Sequence, residues 1–379
     1  MDQPLEEKYL TIAQKQLRKP RVLVAPLDWG LGHATRCIPI IKELLRQDCE
    51  VWLAGEGAQE ILLKKEFPHL TFLQLQGYRI RYAKSAIGLI KNILFQTPKI
   101  LKIIKYENDW LKRMVKEHGF DAVISDNRYG LYHPEVHGIF ITHQLTIKNP
   151  LGKWTEKILQ NRNYRYINYY TECWIPDEEG KNNFAGVLSH PQKKPGIPIH
   201  YIGLLSRFDR TNVTEQKGRL LLLLSGPEPQ RSILENKIIK GITDHNGYAT
   251  IVRGLPGEET LVPSTNMIKF FNHLPAEELN NEMMKAEYII ARSGYSSIMD
   301  IVTLQKKSIL IPTPGQTEQQ YLAGYLMKQQ IALSLSQKEF TLTDSLHKAR
   351  RFTYQFYSIE NKEQKLQQVI STLIKQIKR

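Results

Sequence analysis

Cysteine is scarce. Cys37, Cys49 and Cys173 are the only three in 379 residues, with no Cys-x-x-Cys pair and no Cys/His cluster. That excludes a disulfide framework and a zinc site as organising devices, and it fits a reducing cytoplasm. Long apolar runs are missing too. Stretches such as Leu220 to Leu224 fall far short of the roughly 20 residues a membrane-crossing helix needs. The opening, MDQPLEEKYLTIAQKQLRKP, is polar, so a cytoplasmic location is expected, with the inner face of the cell membrane as a possible station. No low-complexity tract or solenoid-period repeat occurs. Acidic residues are in deficit: 38 Asp and Glu against 52 Lys and Arg leave a net charge of +14. Such a surplus attracts something anionic, whether nucleic acid, a membrane face or a phosphorylated substrate. With no RNP, zinc-finger or homeodomain-like signature, nucleic acid is not expected to be the partner.

What is present is a globular composition, 41% apolar and 24% charged, over a length that suggests two domains. Val22 to Pro26 reads as a buried parallel strand. Glu50 to Ala54, Leu70 to Leu75, Phe120 to Asp126 and Gly138 to Gln144 continue the pattern, several of them ending in polar loops. The second half restarts it with GRLLLLLSGPEPQRSILENKIIKGI, ATIVRGL, MIKFFNHL, AEYIIARSGYSSIMDIVTLQ and KSILIPTPGQTEQQYLAGYLMKQQ. The expected fold class is α/β: two Rossmann-like domains in tandem, joined in the polar stretch Leu204 to Gly218. Asn361 to Arg379 reads as a basic helix with apolar residues at helical spacing.

Four loops can carry chemistry. In Asp28-Trp29-Gly30-Leu31-Gly32-His33, glycines stand where a strand hands over to a helix, so backbone can approach a ligand and the helix start favours an anion. Thr35 is the expected cap and Pro39 is expected in or near the first turn. The spacing is not Gly-x-Gly-x-x-Gly, so a dinucleotide site is not supported. His33, with Asp28 nearby, is either a general base or the cap of a tight turn. SGPEPQRS, Ser225 to Ser232, offers Gly226 and its amides to a diphosphate. In RSGYSSIMD, Arg292, Ser293 and Gly294 close a strand, Ser296 and Ser297 start a helix, and Asp300 lies about one turn further in. PTPGQTEQQY supplies Thr317, Glu318, Gln319 and Gln320, whose side chains suit hydroxyl-rich ligands, or else a solvated helix start.

Together GLGHATR and RSGYSSIMDIVTLQKKSILIPTPGQTEQQYLA resemble the GT-B glycosyltransferases of the family-28 type, which include the peptidoglycan lipid-intermediate N-acetylglucosaminyltransferase and plant galactolipid synthases. Ala286 to Leu326 carries most of the likeness. The resemblance implies two Rossmann-like domains facing across a cleft, with an acceptor-binding domain over residues 1–206 and a linker over 207–218. It further implies a nucleotide-sugar-binding domain over 219–345 and C-terminal helices over 346–379 that pack back on the first domain. It implies transfer of a hexose or N-acetylhexosamine, with inversion, from a UDP-sugar to a hydroxyl acceptor that can be lipid-linked. The helix after Arg292, Ser293 and Gly294 would lie under the diphosphate, Asp300 would hold the ribose, and Gln319 and Gln320 the sugar. Where relatives often carry a Gly-Gly-x-Gly-Gly-His loop, this chain has Asp28, Trp29 and Leu31 interspersed, and Asp300 replaces a more usual glutamate. The run from Gly30 to Cys37 also resembles nucleotide-sugar hydrolases of the pseudaminic acid pathway, so hydrolysis or 2-epimerisation on the same fold is the alternative.

No Asp-x-Asp motif occurs, so a metal-held diphosphate is not expected, nor any cofactor. Helix starts and amides must then neutralise the leaving group, with Arg231 or Arg292 adding charge. His33 is the first choice of base and Asp126, in SDNRYG, the second. Tyr78 to Lys105 holds Arg79, Arg81, Lys84, Lys91, Lys99, Lys102 and Lys105 and no acid. It is either a basic amphipathic surface resting on an anionic bilayer or a core-packed helix with a solvated face.

Overall fold

A computed structural model describes residues 18–79, 86–149, 151–260, 262–359 and 362–378, and for 86–96 and 362 the backbone only. The first domain runs β1 (Arg21–Pro26), α1 (Leu31–Arg46), β2 (Glu50–Gly55), α2 (Ala58–Glu66), β3 (Thr71–Gln74), α3 (Ala86–His118), β4 (Ala122–Asp126), β5 (His137–Ile141), α4 (Lys153–Ile167), β6 (Glu172–Ile175) and β7 (Ile199–Tyr201). The second runs β8 (Gln216–Leu223), α5 (Gln230–Ile242), β9 (Ala249–Val252), β10 (Ile268–Phe271), α6 (Ala276–Lys285), β11 (Ala286–Ala291), α7 (Tyr295–Thr303), β12 (Lys307–Leu310), α8 (Thr317–Lys328), β13 (Leu333–Ser334), α9 (Leu342–Arg351) and α10 (Lys362–Ile377).

All strand pairs are parallel, in the orders β3-β2-β1-β4-β5-β6-β7 and β10-β9-β8-β11-β12-β13. In each sheet the chain winds outward from the first strand and then reverses, between β1 and β4 and again between β8 and β11. A doubly wound sheet opens a crevice at that reversal, outside the carboxyl ends of the strands. The loops after β1, β4, β8 and β11 are therefore placed at the ligand-binding edge by topology alone.

The strands are near-continuous apolar runs because helices cover both faces. Val22, Leu23, Val24 and Ala25 are all fully buried. α1 begins four residues before Thr35, because Gly30 at φ +83° turns the chain straight off β1. Thr35 therefore does not cap; it lies inside the helix and donates to the Gly32 carbonyl over 3.0 Å. Pro39 sits mid-helix, not in the first turn. Its cost, about 3 kcal/mol, is offset by burying Ala34, Cys37, Ile38, Ile40, Ile41 and Leu44. α10 returns to the first domain: Leu366, Ile370 and Leu373 join the same apolar cluster as Ile38 and Ile41, and Ser371 donates to Gln47 over 2.9 Å.

Of the basic stretch Tyr78 to Lys105, residues 80–85 lie outside the described residues. From Lys99 onward α3 buries Ile103 and Ile104 and exposes Lys99, Lys102 and Lys105. No helix of the described residues is long and apolar enough to cross a membrane.

Candidate functional site in the interdomain cleft

The loop after β1 is braced on both sides. The Asp28 carboxylate accepts from the amides of Tyr78 at 2.8 Å and Arg79 at 2.7 Å, while Gln59 Nε2 donates to the Leu27 and Gly30 carbonyls. Asp28 is thus tied to the 77–79 loop and is not the partner of His33. That partner is Asp126. β1 pairs with β4 so that Pro26 stands opposite Asp126, which puts the last residue of β4 beneath the first turn of α1. His33 Nδ1 lies 3.1 Å from Asp126 Oδ2 and 2.8 Å from Nη2 of Arg36, one turn further along α1. A protonated Nδ1 donates to the carboxylate, and a bare one accepts from the guanidinium. No hydrogen bond reaches His33 Nε2 among the described residues.

Asp126 is fully buried and engaged by Arg36 through both oxygens, Nε to Oδ2 at 2.7 Å and Nη2 to Oδ1. Burial alone would raise its pKa, but Arg36 and His33 outweigh burial and hold it at about 2. A carboxylate so buried and so paired cannot reach an acceptor, so the second choice of base is corrected to the partner of the first. Burial, and then the Arg36 charge, push the His33 pKa below its ordinary value against the pull of Asp126. The imidazole is therefore neutral at physiological pH, as a base must be.

Across the cleft, β11 delivers Arg292, Ser293 and Gly294. Arg292 does not face the cleft. Its guanidinium is buried and donates to the carbonyls of Ile311 at 3.1 Å and Gln230 at 2.7 Å, and burial without an acidic partner lowers its pKa to about 10. It holds three cleft loops together and adds no charge to a ligand. Arg231 is corrected likewise: it pairs with Glu228 of the preceding loop at 2.6 Å and with Glu235 of its own helix at 3.0 Å. Ser293 Oγ donates to the Gln319 carbonyl at 2.8 Å, and Gln319 Oε1 accepts from the Thr313 amide at 2.9 Å, which closes the loop before α8. Gly226, at φ +99°, lies beside Thr313. Thr317 donates to the Lys148 carbonyl at 2.9 Å, Gln320 is exposed, Ser297 is half-buried, and Asp300 accepts from Ser206, just before the linker, at 2.6 Å.

The two halves touch at the site. Ser296 Oγ donates to the Gly32 carbonyl over 2.9 Å, so the first turns of α1 and α7 meet. Both helices start at a glycine, Gly30 and Gly294, with no side-chain cap. The two positive helix ends converge on one place.

Residues 262–377 match the glycosyltransferase family 28 C-terminal domain. The UDP-N-acetylglucosamine–N-acetylmuramyl-(pentapeptide) pyrophosphoryl-undecaprenol N-acetylglucosamine transferases of Haemophilus ducreyi and Bacillus pumilus are 21% and 25% identical, each over 83% of this chain and 85% and 86% of their own lengths. The chain is a glycosyltransferase whose C-terminal third matches the family 28 domain. Its GT-B fold is that of Acinetobacter baumannii MurG, with a TM-score of 0.52 and 15% identity over 95% of this chain and 99% of that one. Spinosyn rhamnosyltransferase SpnG complexed with thymidine diphosphate superposes with a TM-score of 0.58 and 15% identity, covering 94% and 96%.

In this glycosyltransferase, sequence reasoning left two site residues without a role. Arg36 stands in the GLGHATR run but carries no local signal. His143, just past β5, stacks on Tyr295 of α7 with ring centroids 4.2 Å apart. Its Nε2 lies 2.7 Å from Glu318 and its Nδ1 3.3 Å from Arg36. Burial would raise the Glu318 pKa, but His143 opposite holds it below the usual carboxylate range. Glu318 is thus engaged by the first domain. The polar THQ ending of the strand was the available signal for His143; its partner on α8 was visible only in three dimensions.

Proposed function

We propose that the enzyme transfers an N-acetylhexosamine from a UDP-sugar to a hydroxyl of a lipid-linked acceptor, with inversion, and that His33 is the general base. The observation that carries this is the neutral His33 ring, whose Nδ1 is within reach of Asp126 and whose Nε2 is unengaged, at the helix start that Ser296 ties to the nucleotide-side helix. Donor and acceptor chemistry follow the relatives, which by name use UDP-N-acetylglucosamine and a pyrophosphoryl-undecaprenol acceptor.

In this reading the diphosphate lies at the uncapped starts of α1 and α7, the ribose at Asp300, and the sugar at Gln319 and Gln320. With the Nδ1 proton donated to Asp126, Nε2 takes the acceptor's hydroxyl proton as its oxygen attacks the anomeric carbon. The bond from that carbon to the diphosphate breaks, and charge collects where helix-end amides converge. General-base assistance of this kind contributes about 10²–10⁴-fold.

The test has two arms. A thermal-shift panel of nucleotides and nucleotide sugars should show the largest stabilisation by UDP and UDP-N-acetylglucosamine, since ligand binding stabilises by mass action. Product analysis with an undecaprenyl-pyrophosphoryl acceptor should then show transfer. Quantitative free sugar or an epimer, formed without acceptor, would establish the hydrolase or epimerase chemistry instead.

We also propose that the acceptor side rests on an anionic bilayer. Lys99, Lys102 and Lys105 are exposed on α3 beside the half-exposed Leu101. On α4, which packs against the same face of the sheet, Trp154 at 75% exposure and Ile158 stand among Lys153 and Lys157, with exposed Leu151 just before the helix. Apolar anchors among lysines, each worth about 1 kcal/mol near such a surface, suit that setting. Co-sedimentation with phosphatidylglycerol vesicles should fall on Trp154→Ser combined with Lys153→Ser and Lys157→Ser. Unchanged sedimentation would sink the idea.

A further inference from the structure

The side that α8 turns to the first domain is a single stripe. Thr317, Tyr321 and Tyr325 follow at i, i+4 and i+8, positions that one face of a helix presents together, and Glu318 stands beside the first of them. Each reaches across the cleft. Thr317 donates to the Lys148 carbonyl over 2.9 Å, and Glu318 Oε1 lies 2.7 Å from His143 Nε2. Tyr321 Oη accepts from the Val187 amide over 2.9 Å, and Tyr325 Oη donates to Asn183 Oδ1 over 2.9 Å. Elsewhere on the helix Leu322, Ala323 and Leu326 are buried, and α8 packs on β13 of its own sheet. Its place is therefore set from both domains.

The pad that receives the two tyrosines is held firmly. The loop after β6 folds around the fully buried Asp177, whose carboxylate accepts from the amides of Phe184 at 2.9 Å and Ala185 at 3.0 Å and from Ser189 Oγ at 2.6 Å. Asn183 Oδ1 accepts from the Gly186 amide at 2.8 Å, and one 3₁₀ turn, Gly186–Leu188, presents the Val187 amide to α8. Tyr321 and Tyr325 lie nearly parallel above it, with ring centroids 6.0 Å apart and planes inclined by 10°. Glycine is needed at 186 on two counts. Its φ is +54°, and a Cβ there would run into the Tyr321 hydroxyl and lie 3.0 Å from the Tyr325 ring.

Gln319 and Gln320, where the donor sugar is placed in the reading above, belong to this docked helix. The diphosphate and ribose are assigned to α7 instead, which has its own ties to the first domain: Ser296 to Gly32, and Tyr295 to the Pro176 carbonyl over 2.8 Å. A shift of α8 on its pad thus moves the sugar subsite and leaves the nucleotide subsite where it was. We infer that Tyr321, docked on the Gly186 turn, is a positioning residue through which the first domain sets where the donor sugar lies. The inference rests on the UDP-sugar reading of the cleft.

The experiment measures UDP and UDP-N-acetylglucosamine affinity by calorimetry on the full chain, together with donor KM and kcat. Tyr321→Phe keeps the ring and removes the oxygen to which Val187 donates. It should lower the ratio of UDP-N-acetylglucosamine to UDP affinity about threefold, the scale of one net hydrogen bond, and quicken hydrogen exchange at the Val187 amide. Gly186→Ala should lower that ratio and kcat/KM by about 10-fold or more, with UDP affinity within about threefold of the wild type. Gly119→Ala brings the same left-handed strain, at φ +62° with open space around it, and should leave the ratio unchanged. Adding Tyr321→Phe to Gly186→Ala should recover part of the loss, because the two residues meet. Where Gly186→Ala does not fold, Tyr321→Phe decides by itself. An unchanged ratio in Tyr321→Phe, an equal fall in UDP affinity, or a matching loss in Gly119→Ala would each overturn the inference while the donor reading stands. A wild type that binds neither ligand would overturn both.

Discussion

The hydroxyl of Ser296 donates to the carbonyl of Gly32 across 2.9 Å, joining the first turn of one domain's site helix to the first turn of the other's. The contact leaves no room at Gly32. A Cβ added there would sit 2.8 Å from Ser296 Oγ and 3.2 Å from its Cβ, and the backbone of Gly32 is not left-handed, so steric pressure is the whole effect. Gly32→Ala should part the two helix starts and lower kcat/KM by about 10-fold or more, the scale on which small misplacements act. Ser296→Gly in the same chain should recover part of the loss. Steady-state kinetics of the two variants checks this, and an unaffected Gly32→Ala would show that the domains do not meet there during turnover.

The electrostatics of His33 fix the sign of a pH profile. Burial and Arg36 lower its pKa below the ordinary 6.5, and the base must be unprotonated. The acid limb of kcat/KM should therefore lie below pH 6.5, with activity flat just above it. Asp126→Asn removes the negative charge that raises the pKa, so the limb should move to still lower pH while kcat falls. It also leaves the Arg36 charge buried and unpaired, costing about 3–5 kcal/mol of stability, which a urea titration would measure.

Much of this architecture was legible beforehand, because short apolar runs ending in polar loops are local signals. Ala291 to Arg292 and Pro26 to Asp28 announce strand ends without any knowledge of the rest. What was not legible is pairing across distance. Asp126 lies 93 residues from His33 and becomes its neighbour only because β4 is laid beside β1. Arg231 and Arg292 looked free to meet a diphosphate because sequence does not show that one is enclosed by Glu228 and Glu235 and the other by backbone carbonyls. Thr35 resembled a cap more than Gly30 did, since the conformation that starts α1 there belongs to a backbone angle and not to a side chain.

Away from the cleft, Glu172 sits between His200 at 3.1 Å and His137 at 3.5 Å at the starts of three adjacent strands. Burial opposes its ionisation, but the two histidines bring its pKa from 4.5 to about 2, and Glu172 raises that of His200. The carboxylate's contribution, at most about 3 kcal/mol, is present above pH 4.5 and is lost as pH falls through about 2. The contribution of His200 is present below pH 6.5 and fades as pH rises through its raised value. The stability difference between the wild type and Glu172→Gln, followed by thermal melts, should accordingly peak between about pH 4.5 and 6.5 and narrow on both sides.

The return of α10 has its own signature. Ile370 and Leu373 are fully buried against the first domain although they end the chain's second half. Ile370→Ala should cost about 2–5 kcal/mol in urea unfolding, the range for truncating a core aliphatic side chain. A change under about 0.5 kcal/mol would mean that the helix is not docked in solution.

The most direct test of the catalytic account is His33→Ala assayed for transfer under saturating donor and, separately, for UDP affinity by calorimetry. Turnover should fall by about 10²–10⁴-fold while UDP binding stays within about threefold of the wild type. Unaltered turnover, or the loss of nucleotide binding together with activity, would contradict it.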